Sequence, residues 1–226
     1  MVNFVIALEC FGICLTVIAL LLLLNGDGAK EKKLLVIIMC GCLVQNVGYL
    51  LELTAPTVQA AMTAVSVENV GSAFVPICYC WFLYIYCYRT PPKTFLRILG
   101  TINFFVLPSV FFNWYGLFYR EVQWTAGVDG FYHINITYGP LYVFFMFSRI
   151  IIPYFLCIYT LISAIRERSD RQVHRQYWTI LGISSLPVVV LIAYVCKIVV
   201  KFDFTPVTLA ISMSSVVIVV WSRRNY

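Results

Sequence analysis

Seven stretches of the chain stay apolar for about the 20 residues that a helix needs to cross the hydrocarbon core of a bilayer. They are 3–24, 34–54, 62–88, 95–113, 138–165, 177–199 and 205–222. Inside them apolar residues follow one another without alternation, as in Leu20-Leu21-Leu22-Leu23-Leu24 and Val216-Val217-Ile218-Val219-Val220. Strands of a membrane barrel would alternate over segments of about 10 residues, so the pattern predicts helices. The first stretch lacks a basic leading region and a small-x-small cleavage site, which favours a retained helix over a signal peptide. The expected fold is an all-α membrane protein, a seven-transmembrane helix bundle that forms one sensor-sized domain over 1–226.

Five of the six connections are short, so consecutive helices are expected to pack side by side. The exception is 114–137. Its runs Glu121-Val122-Gln123-Trp124 and Phe131-Tyr132-His133-Ile134-Asn135-Ile136, separated by a segment with Asp129-Gly130, predict a β-hairpin between the fourth and fifth helices. With Trp114, Tyr115 and Trp124 close by, that hairpin is either a lid over a pocket or part of an interfacial aromatic belt.

Charge then orients the bundle. Only 12% of the 226 residues are charged and 62% are hydrophobic, where a soluble domain carries roughly 25% charge. That excludes a water-soluble globule, a disordered chain and a secreted disulfide scaffold. Lys30, Lys32, Lys33, Arg89, Lys93, Arg97, Arg166, Arg168, Arg171, Arg175, Arg223 and Arg224 fall on one side; only Arg120, Lys197 and Lys201 fall on the other. Positive charge is retained on the cytoplasmic side, which puts the N-terminus outside, the C-terminus in the cytoplasm and the long loop outside. The net charge of +6 is therefore a topology signal, and no nucleic-acid partner is read from it.

Pro76, Pro108, Pro153 and Pro187 lie inside four consecutive helices, where each removes a backbone hydrogen bond and is expected to kink its helix. All nine cysteines fall within the spans. The pairs Cys40/Cys42 and Cys78/Cys80 are two residues apart, which on a helix turns the thiols to different faces, so they read as small packing residues.

An ionisable side chain at the centre of a membrane helix costs at least ~2.5 kcal/mol and is a functional candidate by default. Here the candidates are Glu9, Glu52, Glu68 and Arg149, all in the outer half by the topology above. Gln45, Tyr49 and Glu52 share one helix face, as do Tyr142, Met146 and Arg149; Asn46 and Asn69 lie at similar depths. Together with Trp124 from the outer loop, these residues form a candidate ligand site opening outward. The alternative is that Arg149 pairs with Glu68 or Glu9 merely to hold the bundle. The outer half carries a small acidic excess, which suits a zwitterionic or cationic small molecule.

Catalytic chemistry finds no foothold. The last helix holds no lysine for a retinal Schiff base, and the two histidines, His133 and His174, sit in loops on opposite faces. No metal-ligand cluster, P-loop, nucleophile elbow or Gly-rich nucleotide motif is present, so no metal, no cofactor and no enzymatic activity are expected.

Several segments, in this order and spacing, resemble a known family. They are Val67-Glu68-Asn69 through Phe74-Val75-Pro76, Phe112-Asn113 to Leu117-Phe118, Tyr138-Gly139-Pro140, Arg175-Gln176-Tyr177 with Leu186-Pro187, and Phe202-Asp203-Phe204-Thr205-Pro206. The chain resembles the N-terminal seven-transmembrane sensor region of bacterial histidine kinases, which is also found ahead of diguanylate cyclase domains. The resemblance implies a homodimer in the bacterial inner membrane. It also implies a C-terminal output domain, a kinase or cyclase, absent from a chain that stops at Trp221-Ser222-Arg223-Arg224-Asn225-Tyr226; an excised sensor region is the expectation.

The function expected is a transmembrane sensory receptor that binds an extracellular small molecule and passes a signal through the seventh helix. The rivals are a small-solute transporter or channel, which needs a polar track through both membrane halves, and a passive dimerising anchor, whose polar cluster should be closed by internal pairs.

Overall fold

In the computed structural model every apolar stretch becomes a helical rod; residues 2–25, 30–126, 132–167, 170–195 and 202–224 are described. Seven rods are long and apolar enough to cross a membrane. The first two are α1 (Val2–Asn25) and α2 (Lys30–Leu53). The third is split into α3 (Val58–Ser72) and α4 (Val75–Tyr86), and the fourth into α5 (Lys93–Val106) and α6 (Pro108–Phe112). The fifth runs from α7 (Pro140–Met146) through a π-helical turn, Phe147–Ile151, into α8 (Ile152–Glu167). The sixth and seventh are α9 (Arg171–Val195) and α10 (Thr205–Arg224).

Several rods start earlier than their hydrophobic stretch. Hydropathy marks the lipid-facing length of a helix, whereas its end is set by a cap. Thr57 accepts the Ala60 N–H at 3.2 Å and starts α3 at Val58. The Asp170 carboxylate accepts the Gln172 N–H at 2.9 Å and starts α9 in its polar segment Arg171–Gln176.

The prolines act at three of the four expected places. Pro76 opens the first turn of α4 and Pro108 the first turn of α6, so each marks a restart after a break in its rod. Pro153 follows the π turn directly. A proline ring collides with the carbonyl four residues back, here that of Arg149, and the wider π turn is a known way to accommodate such a fault. At Pro187 the expectation of a kink is not met by a break: α9 runs on through it from Arg171 to Val195.

α1 packs on α2 and α10; α2 also touches α3, α4 and α10; α4 lies on α8; and α9 bridges α8 and α10. Sequence neighbours thus lie side by side, and α1 against α10 closes the ring. α2 can sit so centrally because glycines line its contact with the third rod. A Cβ on Gly41 would fall 2.8 Å from Gly71 O, and one on Gly48 would fall 2.6 Å from Glu68 N. Small residues that let backbones approach are the usual basis of helix association in lipid.

The inner half is filled by Phe82, Leu83, Tyr86, Leu161, Tyr177, Ile180, Met213 and Val216. A hydroxyl–hydroxyl bond joins Tyr79 of α4 to Ser184 of α9 within it. Cys42, Cys80, Cys87 and Cys157 are buried, and the eight cysteines among the described residues are free, which agrees with a packing role; Cys196 lies outside the described residues. At the basic end Arg89 pairs with Glu167 at 2.6 Å, and Lys32 donates to the Leu24 carbonyl of α1 at 3.3 Å. Arg168, Lys197 and Lys201 lie outside the described residues.

The long loop forms the expected hairpin, β1 (Tyr119–Ala126) antiparallel to β2 (Tyr132–Tyr138), with Tyr119 opposite Tyr138 and Trp124 opposite Ile134. The segment with Asp129-Gly130 lies outside the described residues. Asn113 anchors the base. It adopts φ 40°, ψ 49°, the left-handed conformation that ends a helix. Its Oδ1 accepts the N–H groups of Phe118 and Tyr119 at 3.3 and 2.8 Å, and its Nδ2 donates to Tyr119 O at 2.8 Å. Gly139 presses on the other side, where a Cβ would fall 2.2 Å from Leu117 O. Replacing Asn113 by alanine should cost about 2 kcal/mol, since two amides and a carbonyl lose a partner. A lower thermal midpoint and faster proteolytic nicking of the hairpin in purified protein would be the signature; unchanged nicking would show that the hairpin base is held some other way.

Candidate functional site

The three discontinuities of the third, fourth and fifth rods meet at one level. Arg149 sits in the π turn, is only 7% exposed, and donates through Nη1 to Asn69 Oδ1 at 3.0 Å and Ser72 Oγ at 2.8 Å, at the broken end of α3. Its Nη2 reaches Met146 Sδ at 3.2 Å, and the guanidinium lies 4.7 Å from the centre of the Phe145 ring, a cation–π distance. The neighbouring Ser148 donates to Asn103 Oδ1 at 2.8 Å, and Asn103 Nδ2 donates to the Ala73 carbonyl at 3.1 Å. The carbonyl freed by the break between α3 and α4 is thereby satisfied from the fourth rod, which is itself held by the fifth.

The structure does not pair Arg149 with Glu68 or Glu9. Among the described residues its hydrogen-bond partners are neutral, and the ion pair seen is Arg89 with Glu167 at the other end of the bundle. The bundle-holding salt bridge considered from the sequence is therefore replaced by bonds to an amide and a hydroxyl. Both are reachable because Ser72 lies one turn beyond Asn69 on the same face of α3.

Glu52 and Glu68 are half-buried and lie within electrostatic range of each other and of Asp203. The glycine at 48 permits this, since it lets the Glu68 backbone press against α2. Glu9 is fully buried against the Val207 backbone in the first turn of α10, and stands in range of Asp203 and Glu68. Asn46 is buried against α1, its Oδ1 3.0 Å from where a Cβ on Gly12 would stand and its Nδ2 donating to Cys42 O at 2.7 Å. The Tyr49 hydroxyl accepts the Asp203 N–H at 2.9 Å, and the Asp203 carboxylate accepts the Thr205 N–H at 2.8 Å, capping α10. Burial pushes the Asp203 carboxyl above its ordinary range, opposed by the bonds from Thr205. Tyr142 stacks on Tyr138 with ring centres 3.6 Å apart and lies within electrostatic range of Arg149.

Eight of the nine residues singled out by sequence are thus brought to one region. The ninth, Trp124, is half-buried on β1 opposite Ile134, toward the tip of the hairpin. It is Tyr119 and Tyr138, at the hairpin's base, that stand in range of Glu68 and Glu52. Two clefts, lined by Thr94, Arg97, Ile98, Thr101 and Ile102 and by Leu23, Lys32, Leu35, Val217, Val220 and Trp221, lie toward the inner face; the site residues line neither.

A family model described as the N-terminal 7TM region of histidine kinase matches residues 7–225, nearly the whole chain. The chain belongs to this family. No curated protein matches it. This histidine kinase membrane region is thus a multi-pass membrane protein of sensory type.

Reading the sequence alone missed Ser72, Asp203, Tyr119, Tyr138 and Tyr194 as parts of the site. Asp203 and Tyr138 stand in segments that carry the family resemblance, but Asp203 lies just outside an apolar stretch and reads as loop, and Tyr138 opens one as an interfacial aromatic. Tyr194 is in range of Asp203, Glu52 and Glu68, yet from the sequence it is one more aromatic near an interface.

Proposed function

We propose that this region is a receptor in the bacterial cell membrane. An extracellular small molecule engages Glu68, Asn69 and Arg149, flanked by Glu9, Asn46, Tyr49, Glu52 and Tyr142. The observation that carries this reading is a buried guanidinium whose hydrogen bonds go to neutral groups although the Glu68 carboxylate lies within its electrostatic range. A passive anchor has no use for charges left unpaired in lipid, each of which costs free energy. A conduit would need polar groups through the inner half, where large apolar and aromatic side chains fill the bundle instead.

A ligand shifts a conformational equilibrium only by binding one arrangement better than another. Two arrangements are open to the third to fifth rods because each is interrupted at the level of Arg149. The route outward from the site runs through Tyr49 and Asp203 into the first turn of α10, the rod whose far end faces the cytoplasm by the charge rule. In the full receptor, α10 hands the change to a kinase or cyclase output, acting as a homodimer.

Glu68→Gln tests the reading, because it keeps the shape and removes the charge. In a chimera joining this region to a kinase with a transcriptional reporter, screened over small extracellular metabolites, it should weaken the response roughly tenfold or more, the worth of one charged hydrogen bond. An unchanged dose–response for an active metabolite would take Glu68 out of the site.

A further inference from the structure

α5 enters the bundle by one face. Leu96, Leu99, Asn103 and Val106 are buried against its neighbours, whereas Thr94, Arg97, Ile98 and Thr101 are exposed on the opposite side. Together with Ile102 these four line a groove of about 290 Å³. From Thr94 to Ile102 the helix rises roughly 12 Å. The groove therefore starts at the basic end of the fourth rod, which is long enough to cross the membrane as Lys93–Phe112, and runs inward along one lipid leaflet.

Its polar lining is left to an outside partner. Lys93 and Arg97 lie one turn apart, both exposed, and among the described residues neither side chain has a hydrogen-bond or ion-pair partner. At the same end Glu167 is taken by Arg89, and Asp170 by the Gln172 N–H. Thr16, Thr63 and Thr160 turn their hydroxyls back to the carbonyl one turn earlier, the local alternative open to a helical threonine. Among the described residues Thr94 and Thr101 make no such bond. The first turn of α5 has no side-chain cap either, so its free amides add positive potential at the level of Lys93. An occupant must bring an anion with hydrogen-bond acceptors to that level and an apolar tail to Ile98 and Ile102. A second copy docked symmetrically here would set Arg97 against Arg97, and a soluble anion has no use for the apolar length of the groove.

We infer that this groove holds an anionic phospholipid of the cytoplasmic leaflet, its phosphate between Lys93, Thr94 and Arg97 and one acyl chain along Ile98, Thr101 and Ile102. Arginine suits the place, since its stem lies along apolar surface while its head reaches the phosphate level, and basic clefts on the cytoplasmic side recognise anionic headgroups. The inference is independent of the receptor reading. The lipid sits behind the rod whose Asn103 bonds to Ala73 and Ser148, so its seat steadies the helix that joins the third rod to the fifth.

The test is thermal unfolding of the full chain in phosphatidylcholine nanodiscs with a rising mole fraction of phosphatidylglycerol. The midpoint should rise and saturate. Lys93→Gln/Arg97→Gln should raise the half-saturating fraction at least about tenfold, since each basic contact with an anionic headgroup is worth roughly fivefold in partitioning. Arg171→Gln/Arg175→Gln removes equal charge from exposed positions at the same end, outside the groove, and should leave that fraction unchanged. Arg97→Gln alone, with a shift of about fivefold, decides the matter if the first double variant does not fold. No rise with phosphatidylglycerol overturns the inference, as does a rise that never saturates or that both double variants weaken alike, the mark of diffuse attraction to a basic surface. An equal effect of inorganic phosphate in discs of phosphatidylcholine alone overturns the lipid assignment. Stabilisation confined to discs that hold two chains would give the groove to a second copy and overturn it as well.

Discussion

Arg149→Ala should abolish ligand-dependent output and lower stability by about 3 kcal/mol, the scale seen when one partner of a buried charged contact is removed. The stability loss follows from what remains behind. Asn69 Oδ1 and Ser72 Oγ would lose their donor, and the Phe145 ring would lose the cation on its face. The functional loss follows from position, since Arg149 ties the π turn of the fifth rod to the end of α3, and no other side chain described spans those two faults. Arg149→Lys separates the two effects. An ammonium keeps the charge and one donor nitrogen for Asn69 and Ser72, but it loses the second nitrogen that reaches Met146 and the planar cation beside the Phe145 ring, so folding should recover in part while output stays impaired. Midpoints of thermal unfolding alongside reporter activity in the chimera would measure both. A stable Arg149→Ala that still responds to its metabolite would remove Arg149 from the receptor mechanism.

How much of this was legible in the sequence follows from the kind of signal each feature leaves. The seven rods and the hairpin were legible because burial in lipid imposes long apolar runs, and because strand pairs bracket a turn. The proximity of Glu68 to Glu9 and Arg149 was legible too, since a charge in an apolar run is conspicuous. Partners were not. A guanidinium in a membrane suggests a carboxylate, whereas the neutral pair Asn69 and Ser72, one turn apart on α3, meets Arg149 only through the packing of the third rod on the fifth. Asp203 shows the same gap. It lies outside any apolar run, and only the packing of α2 beside α10 brings Tyr49 to its backbone.

The contact of α2 with the third rod yields the second large expectation, Gly71→Val. A Cβ at Gly71 would stand 2.4 Å from Gln45 N, 2.7 Å from Gly41 O and 3.0 Å from Gln45 Cα. All three atoms are backbone, so no side chain can swing aside and the helices must part. Overpacking of this kind costs about 1–3 kcal/mol and sometimes more; here the upper end is expected, since the next residue is Ser72 and parting the helices also draws it from Arg149. Gly100 supplies the internal standard. Nothing lies within 4 Å of a Cβ placed there, and a helical Gly→Ala change with room for the methyl stabilises by about 0.4–1 kcal/mol. Gly71→Val should therefore unfold well below the wild type, Gly100→Ala at or above it, and ligand response should fail only in the first. If the two variants unfold together, the close approach of α2 and α3 is not what positions Glu68 beside Glu52, and the acidic cluster loses its structural basis.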